Sequence, residues 1–180
     1  MFSWLKRKLE EFEDRDYKKR LEEYELYVQK QFDEKSNKID LNASIKGRDC
    51  IQEKIIFFTN EIRILCKNRK SIFSDNILNL IETIASEKNI IVITFDGEKD
   101  EFFENLSKKH ENFKYYAAKC SNIEEVTEYI LADKQMFWLL FNDSYNFFEM
   151  VAKFSFNNIA TTIKHWKMFD EILEKFKNQA

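Results

Sequence analysis

The chain has no proline and only two glycines, Gly47 and Gly97, in 180 residues. Glycine-rich phosphate loops and dinucleotide-binding turns need several glycines where backbone must approach phosphate, so both are excluded. Histidine is equally scarce, with His110 and His165 alone, which leaves little choice of general base or metal ligand. Three cysteines, Cys50, Cys66 and Cys120, are odd in number and widely spaced. That argues against a disulfide framework and a structural zinc site, and fits a reduced, cytoplasmic setting. The longest apolar runs, 90–95 and 136–141, are far short of a membrane span. The N-terminal residues turn acidic at once and hold no apolar leader core. A basic excess is lacking as well: 29 Lys and Arg face 32 Asp and Glu, a formal charge of −3. A duplex-binding domain must displace counterions from phosphate, so there is no strong nucleic-acid signal. No cofactor motif is present, and no cofactor or metal is expected.

What is present is a globular composition, 44% apolar and 34% charged, with 18 phenylalanines pointing to an aromatic core. Residues 1–35 are densely charged, with apolar positions at Phe2, Leu5, Leu9 and Phe12, then Tyr17, Leu21, Tyr24 and Val28. Steps of three and four mark a helical stripe, with one phase slip at 14–16. Such a helix is too polar to bury itself and needs a surface, either its own domain or a second copy. Phe2, Leu5, Leu9, Phe12, Leu21 and Tyr24 are the candidate self-association residues. Phe2, Trp4 and Leu5 beside Lys6, Arg7 and Lys8 also fit a membrane-surface anchor over residues 2–9, although Glu10, Glu11, Glu13 and Asp14 follow directly.

Residues 36–47 read as a linker, and 48–180 as one α/β domain. Helical spacing covers 49–60, 74–88 with Ser74 as N-cap, and 98–110. Strands are expected at 61–66, at 89–95, whose β-branched run fits a central strand covered on both faces, and at 113–118. The segments 125–132 and 136–141 flank Asp133-Lys134-Gln135 as a hairpin. One or two edge strands lie within 145–156, and Asn158 caps a last helix through Ile159, Ile163, Trp166, Phe169, Leu173 and Phe176. This order predicts an α-β-α sandwich with a mixed, largely parallel sheet.

From about residue 49 to 177, the order resembles one half of the phospholipase D superfamily. In that family a His-x-Lys-x4-Asp motif lies on the first strand of such a hairpin. Asp133 matches the motif Asp, but the Lys position holds Glu128 and the His position Val126. The family's Gly-Ser-x-Asn stretch is replaced by Leu140-Phe141-Asn142-Asp143. The resemblance implies His as nucleophile on phosphorus and Lys on the phosphoryl oxygens. Valine cannot attack and Glu128 would repel phosphate. The expectation is a degenerate, non-catalytic module that forms a homodimer and binds a protein or small anionic partner. A divergent phosphodiesterase or nuclease, or a peripheral membrane protein, is the alternative.

Other constellations are weaker. His165 and Lys167 differ by two positions and cannot converge on a helix. His110 fits a helix C-terminus. Glu124 and Glu125 read as a solvated strand entry, and Asp96, Asp133 and Asp143 lack a histidine partner for a metal. Lys67, Arg69 and Lys70 follow the first strand, where open α/β sheets bind ligands, and are the candidate anion-binding residues.

Overall fold

The protein is described by a computed structural model over residues 2–42, 45–119, 127–141 and 151–177, with side chains for 15, 17–40, 47–119, 127–140 and 152–177. Helix α1 runs Phe2–Asp33, unbroken through the phase slip. It is followed by β1 (Asp40–Asn42), α2 (Ile45–Phe57), β2 (Glu61–Cys66), the short α3 (Arg69–Ile72), α4 (Asp75–Ile84), β3 (Asn89–Thr94), α5 (Glu101–Lys109) and β4 (Phe113–Ala117). The hairpin β5 (Glu128–Ala132) and β6 (Met136–Phe141), then β7 (Val151–Ser155) and α6 (Ile159–Lys177), complete the chain order.

The seven strands form one sheet in the order β1-β7-β6-β5-β2-β3-β4. Strand β2 pairs parallel with β3, and β3 with β4. The other four pairings are antiparallel. The sheet is mixed, as the sequence predicts, but parallel pairing is confined to the βαβαβ half. The apolar run in β3 reports burial on both faces, and the meander that completes the sheet is buried as well. Two further expectations shift. Strand β7 is interior, because Asp40–Asn42 in the stretch read as linker pairs outside it. Three residues are too few to show a period of two.

Alternation along the strands splits the apolar residues between two cores. One face carries Ile62, Ile64, Ile90, Val92, Ile130 and Trp138, covered by α1 through α5. The other carries Leu65, Ile93, Tyr129, Leu131, Phe137 and Leu139, covered by Trp166, Phe169 and Leu173 of α6. This is a three-layer α/β sandwich. Ile77, Leu78, Ile81 and Ile84 of α4 are all buried, and Ser74 Oγ accepts from the Ile77 N–H, as the spacing predicts. The α6 stripe is corrected: Thr162, Trp166, Phe169 and Leu173 face inward, and Ile159 and Ile163 face solvent.

Helix α1 divides in function. Its last turns belong to the domain core: Val28 is 0% exposed, and Tyr24, Tyr27 and Phe32 pack around it. The Tyr27 hydroxyl donates to Asp40 Oδ2 at 2.6 Å, and Lys38 Nζ pairs with Asp40 Oδ1 at 2.8 Å, which ties β1 to the helix. Of the candidate self-association residues, Tyr24 is therefore engaged within its own chain. Leu21 is half-buried. Phe2, Leu5, Leu9 and Phe12 lie on helical backbone, and their side chains are outside the described residues.

Candidate functional site

The hairpin's two carboxylates are held apart by β5. This strand runs antiparallel to β2 with Leu65 opposite Tyr129 and Ile62 opposite Ala132. Glu128 thus reaches the carboxyl end of β2 and Asp133 its amino end. Five positions at about 3.3 Å per residue separate them by roughly 16 Å. Val126 lies outside the described residues.

Glu128 closes the loop after β2. Its Oε2 accepts from the Lys67 N–H at 2.8 Å and from the Ser71 hydroxyl. Asn68 caps α3 from the same loop: its Oδ1 accepts from the Lys70 and Ser71 N–H groups, both at 3.1 Å. Burial pushes the Glu128 carboxyl above its ordinary value, opposed by the Ser71 hydroxyl and by the Lys67 N–H and ammonium. The folded protein therefore holds this proton more tightly than the unfolded chain. Glu128's contribution to stability falls as pH rises through the window between the ordinary and the raised value. Glu128→Gln keeps an acceptor oxygen and removes the buried charge. Its melting temperature at neutral pH is expected to equal or exceed that of the wild type, with the difference closing below about pH 4. A variant that melts lower at neutral pH and no differently in acid would show that the charge itself holds the loop.

Asp133 works at the other end. Its Oδ1 accepts from the Glu61 N–H at 2.8 Å and the Asn60 N–H at 3.1 Å, and its own N–H donates to the Glu61 carbonyl at 2.9 Å. Asp133 and Lys134 both have positive φ, 47° and 58°, as a tight hairpin requires. The motif-like Asp is thus a cap for the start of β2.

Of the candidate anion-binding residues, Arg69 and Lys70 line a cleft of ≈ 260 Å³ at the carboxyl ends of β2 and β3, and Lys67 does not. Lys67 is exposed beside Glu128. Arg69 Nε lies 3.3 Å from Asp100 Oδ2, and its guanidinium sits 5.4 Å over the Phe102 ring. Asp100 is engaged in turn as the N-cap of α5, accepting from the Phe102 N–H at 3.0 Å. Lys70, Lys99, Asp96 and Glu98 line the same cleft. Three cations and three carboxylates thus line the cleft together. Gly97, at φ +85°, turns the chain beneath Lys119.

No nucleophile and base come together among the described residues. The Cys66 thiol is raised well above its ordinary pKa, mainly by burial and then by Glu128, Asp100 and Asp96. Burial pushes Cys50 up to about 11. Both thiols are held protonated, which disfavours attack. Cys120 lies outside the described residues. His165 Nδ1 sits 2.9 Å from the Thr161 carbonyl on α6, its ring against Tyr129, and His110 is the C-cap of α5. Asp96 and Asp133 are at opposite ends of the sheet, and no group of three or more potential metal ligands gathers among the described residues. No helix among them is long and apolar enough to cross a membrane.

Sequence reasoning missed Arg63. It points from β2 into the smaller core with its side chain 12% exposed. The guanidinium lies 4.8 Å from the Trp166 ring centroid and donates to Glu61 Oε1 at 2.7 Å, with Asp170 at 3.9 Å. An arginine alternating with Ile62 and Ile64 is the only available signal.

The class defined by these features is a three-layer α/β sandwich with a long helix running into its core. No protein-family model matches the chain, and no curated protein does. Among solved structures, it is similar to TrmBL2, an archaeal chromatin protein described as showing a novel mode of DNA binding. The TM-score is 0.60 at 13% identity over 96% of this chain, which spans 65% of that protein's length. At this identity the likeness shows the fold alone. A second match is Nuc, a phospholipase D family member from Salmonella typhimurium, with a TM-score of 0.46 at 12% identity over 78% of this chain and 92% of that one.

Proposed function

We propose that the chain is a non-catalytic association module, a degenerate phospholipase D-like half that pairs with a second copy through α1 and presents its sandwich to a protein partner. The observation that carries this reading is the employment of Glu128 and Asp133. The two carboxylates at the motif positions sit roughly 16 Å apart along β5, each bound to backbone N–H groups of the β2 ends. Each carboxylate is tied to its own sheet, and neither stands beside a nucleophile that it could activate. DNA binding, described for the chromatin protein, is not carried over: acidic residues outnumber basic ones, and the basic clusters 6–8 and 18–20 alternate with acidic ones.

The experiment is a hydrolysis assay on a generic phosphodiester, a phospholipid and a nucleic acid. Turnover is expected to match buffer alone for the wild type, Glu128→Gln and Asp133→Asn. Turnover that survives repurification and vanishes in Asp133→Asn would make the chain a phosphodiesterase and overturn the reading.

A further inference from the structure

Between α1 and α2 runs a groove of ≈ 670 Å³, with Glu22, Glu25 and Leu26 on one wall and Asp49, Cys50 and Glu53 on the other. Its one lining cation, Lys54, is engaged: Nζ donates to Gln29 Oε1 and lies 5.8 Å over the Phe32 and Phe58 rings. Glu22, Glu25 and Glu53 line the opening, and the fourth carboxylate, Asp49, lies 3.6 Å from Arg48 Nε. Leu26 is 70% exposed there, an apolar side chain with nothing of its own domain to cover it. The groove calls for a helix that is basic and apolar on one side.

The first turns of α1 have that composition: Trp4-Leu5-Lys6-Arg7-Lys8-Leu9. They belong to the same unbroken helix, so they reach the groove only from a second copy. Reversing α1 about residue 15 places residue i against residue 30 − i. Lys8 then meets Glu22, Arg7 meets Glu23, Leu9 meets Leu21, Glu10 meets Arg20 and Glu11 meets Lys19. Positions 4, 5 and 8 share a face with the same spacing as 22, 25 and 26 read backwards, which sets Trp4 against Leu26, Leu5 against Glu25 and Lys8 against Glu22. A parallel arrangement in register would set like charges together at each block.

We infer that the α1–α2 groove receives the N-terminal turns of α1 from a second copy, in an antiparallel and reciprocal pair. This rests on the self-association reading and gives it an orientation and a register. Tyr24 and Val28 keep their places in the core, because the groove face of α1 lies beside theirs.

The test uses two full-length variants. One carries Lys6→Glu, Arg7→Glu and Lys8→Glu; the other carries Glu22→Lys, Glu25→Lys and Glu53→Lys. Circular dichroism checks that each keeps its fold. Each alone brings like charges together at both reciprocal contacts and is expected to be monomeric by light scattering, with dimer dissociation raised at least tenfold. Mixed in equal amounts, the two restore opposite charges at both contacts and are expected to form a heterodimer. A dimer indifferent to both reversals, or a mixture that stays monomeric, overturns the docking and leaves the groove to a basic segment of another protein. In the first case self-association survives; a wild type that is monomeric throughout removes both.

Discussion

Ile93→Asp is expected to give insoluble or molten protein. Ile93 is 0% exposed in the middle of β3, hydrogen-bonded on both sides by β2 and β4, and its side chain lies in the core beneath α6. Arg63, which points into that core, is already engaged by Glu61 and the Trp166 ring. A carboxylate there has no partner, and burying it or its protonated form costs several kcal/mol. Domains of this size have about 5–15 kcal/mol in all. Glu128→Lys sits at a strand end beside an exposed loop and is expected to fold, with loss of the Lys67 and Ser71 contacts. Circular dichroism and a melting curve on the pair check this. An Ile93→Asp protein that is soluble with an unchanged melting temperature would mean that β3 is not interior.

Deleting residues 1–35 is expected to unfold the domain, and deleting 1–16 to leave it intact. The longer deletion removes Val28, Tyr24, Tyr27 and Phe32 from the larger core and the Tyr27 anchor of β1. Full burial of a side chain such as Val28 is worth about 1.5–3 kcal/mol, and the three half-buried aromatics add to it, so the loss is a large share of the stability of the domain. The shorter deletion ends before the first helix residue that packs on the core among those described. Urea midpoints compare the two. A stable, cooperative domain after the longer deletion would show α1 to be an appendage throughout.

Local signals were legible where one element's own residues decide its structure. Ser74 as a cap, the four inward residues of α4, and strand β2 at 61–66 are all as the spacing predicts. So is the hairpin turn at Asp133. Interactions that depend on distant pairing were not legible. Glu128 accepts from Lys67 across 61 positions of chain, and only the antiparallel register of β5 on β2 brings them together. The sequence shows the acid and the missing lysine but not the loop that the acid closes. Ile159 and Ile163 look like core positions by hydropathy, yet the inward stripe of α6 runs one position away, through Thr162. The start of α5 moves from residue 98 to Glu101 because Asp100 is needed outside the helix as its cap. The surroundings of the basic cluster were not legible for a related reason: Lys67, Arg69 and Lys70 are contiguous, but the carboxylates that share a cleft with Arg69 and Lys70 come from the loop after β3.

The most direct measurement is sedimentation equilibrium of the full chain and of the 1–16 deletion, up to high micromolar concentration in moderate salt. The full chain is expected at twice its monomer mass and the deletion, still folded, at the monomer mass. A full chain that stays at the monomer mass throughout would contradict the association module.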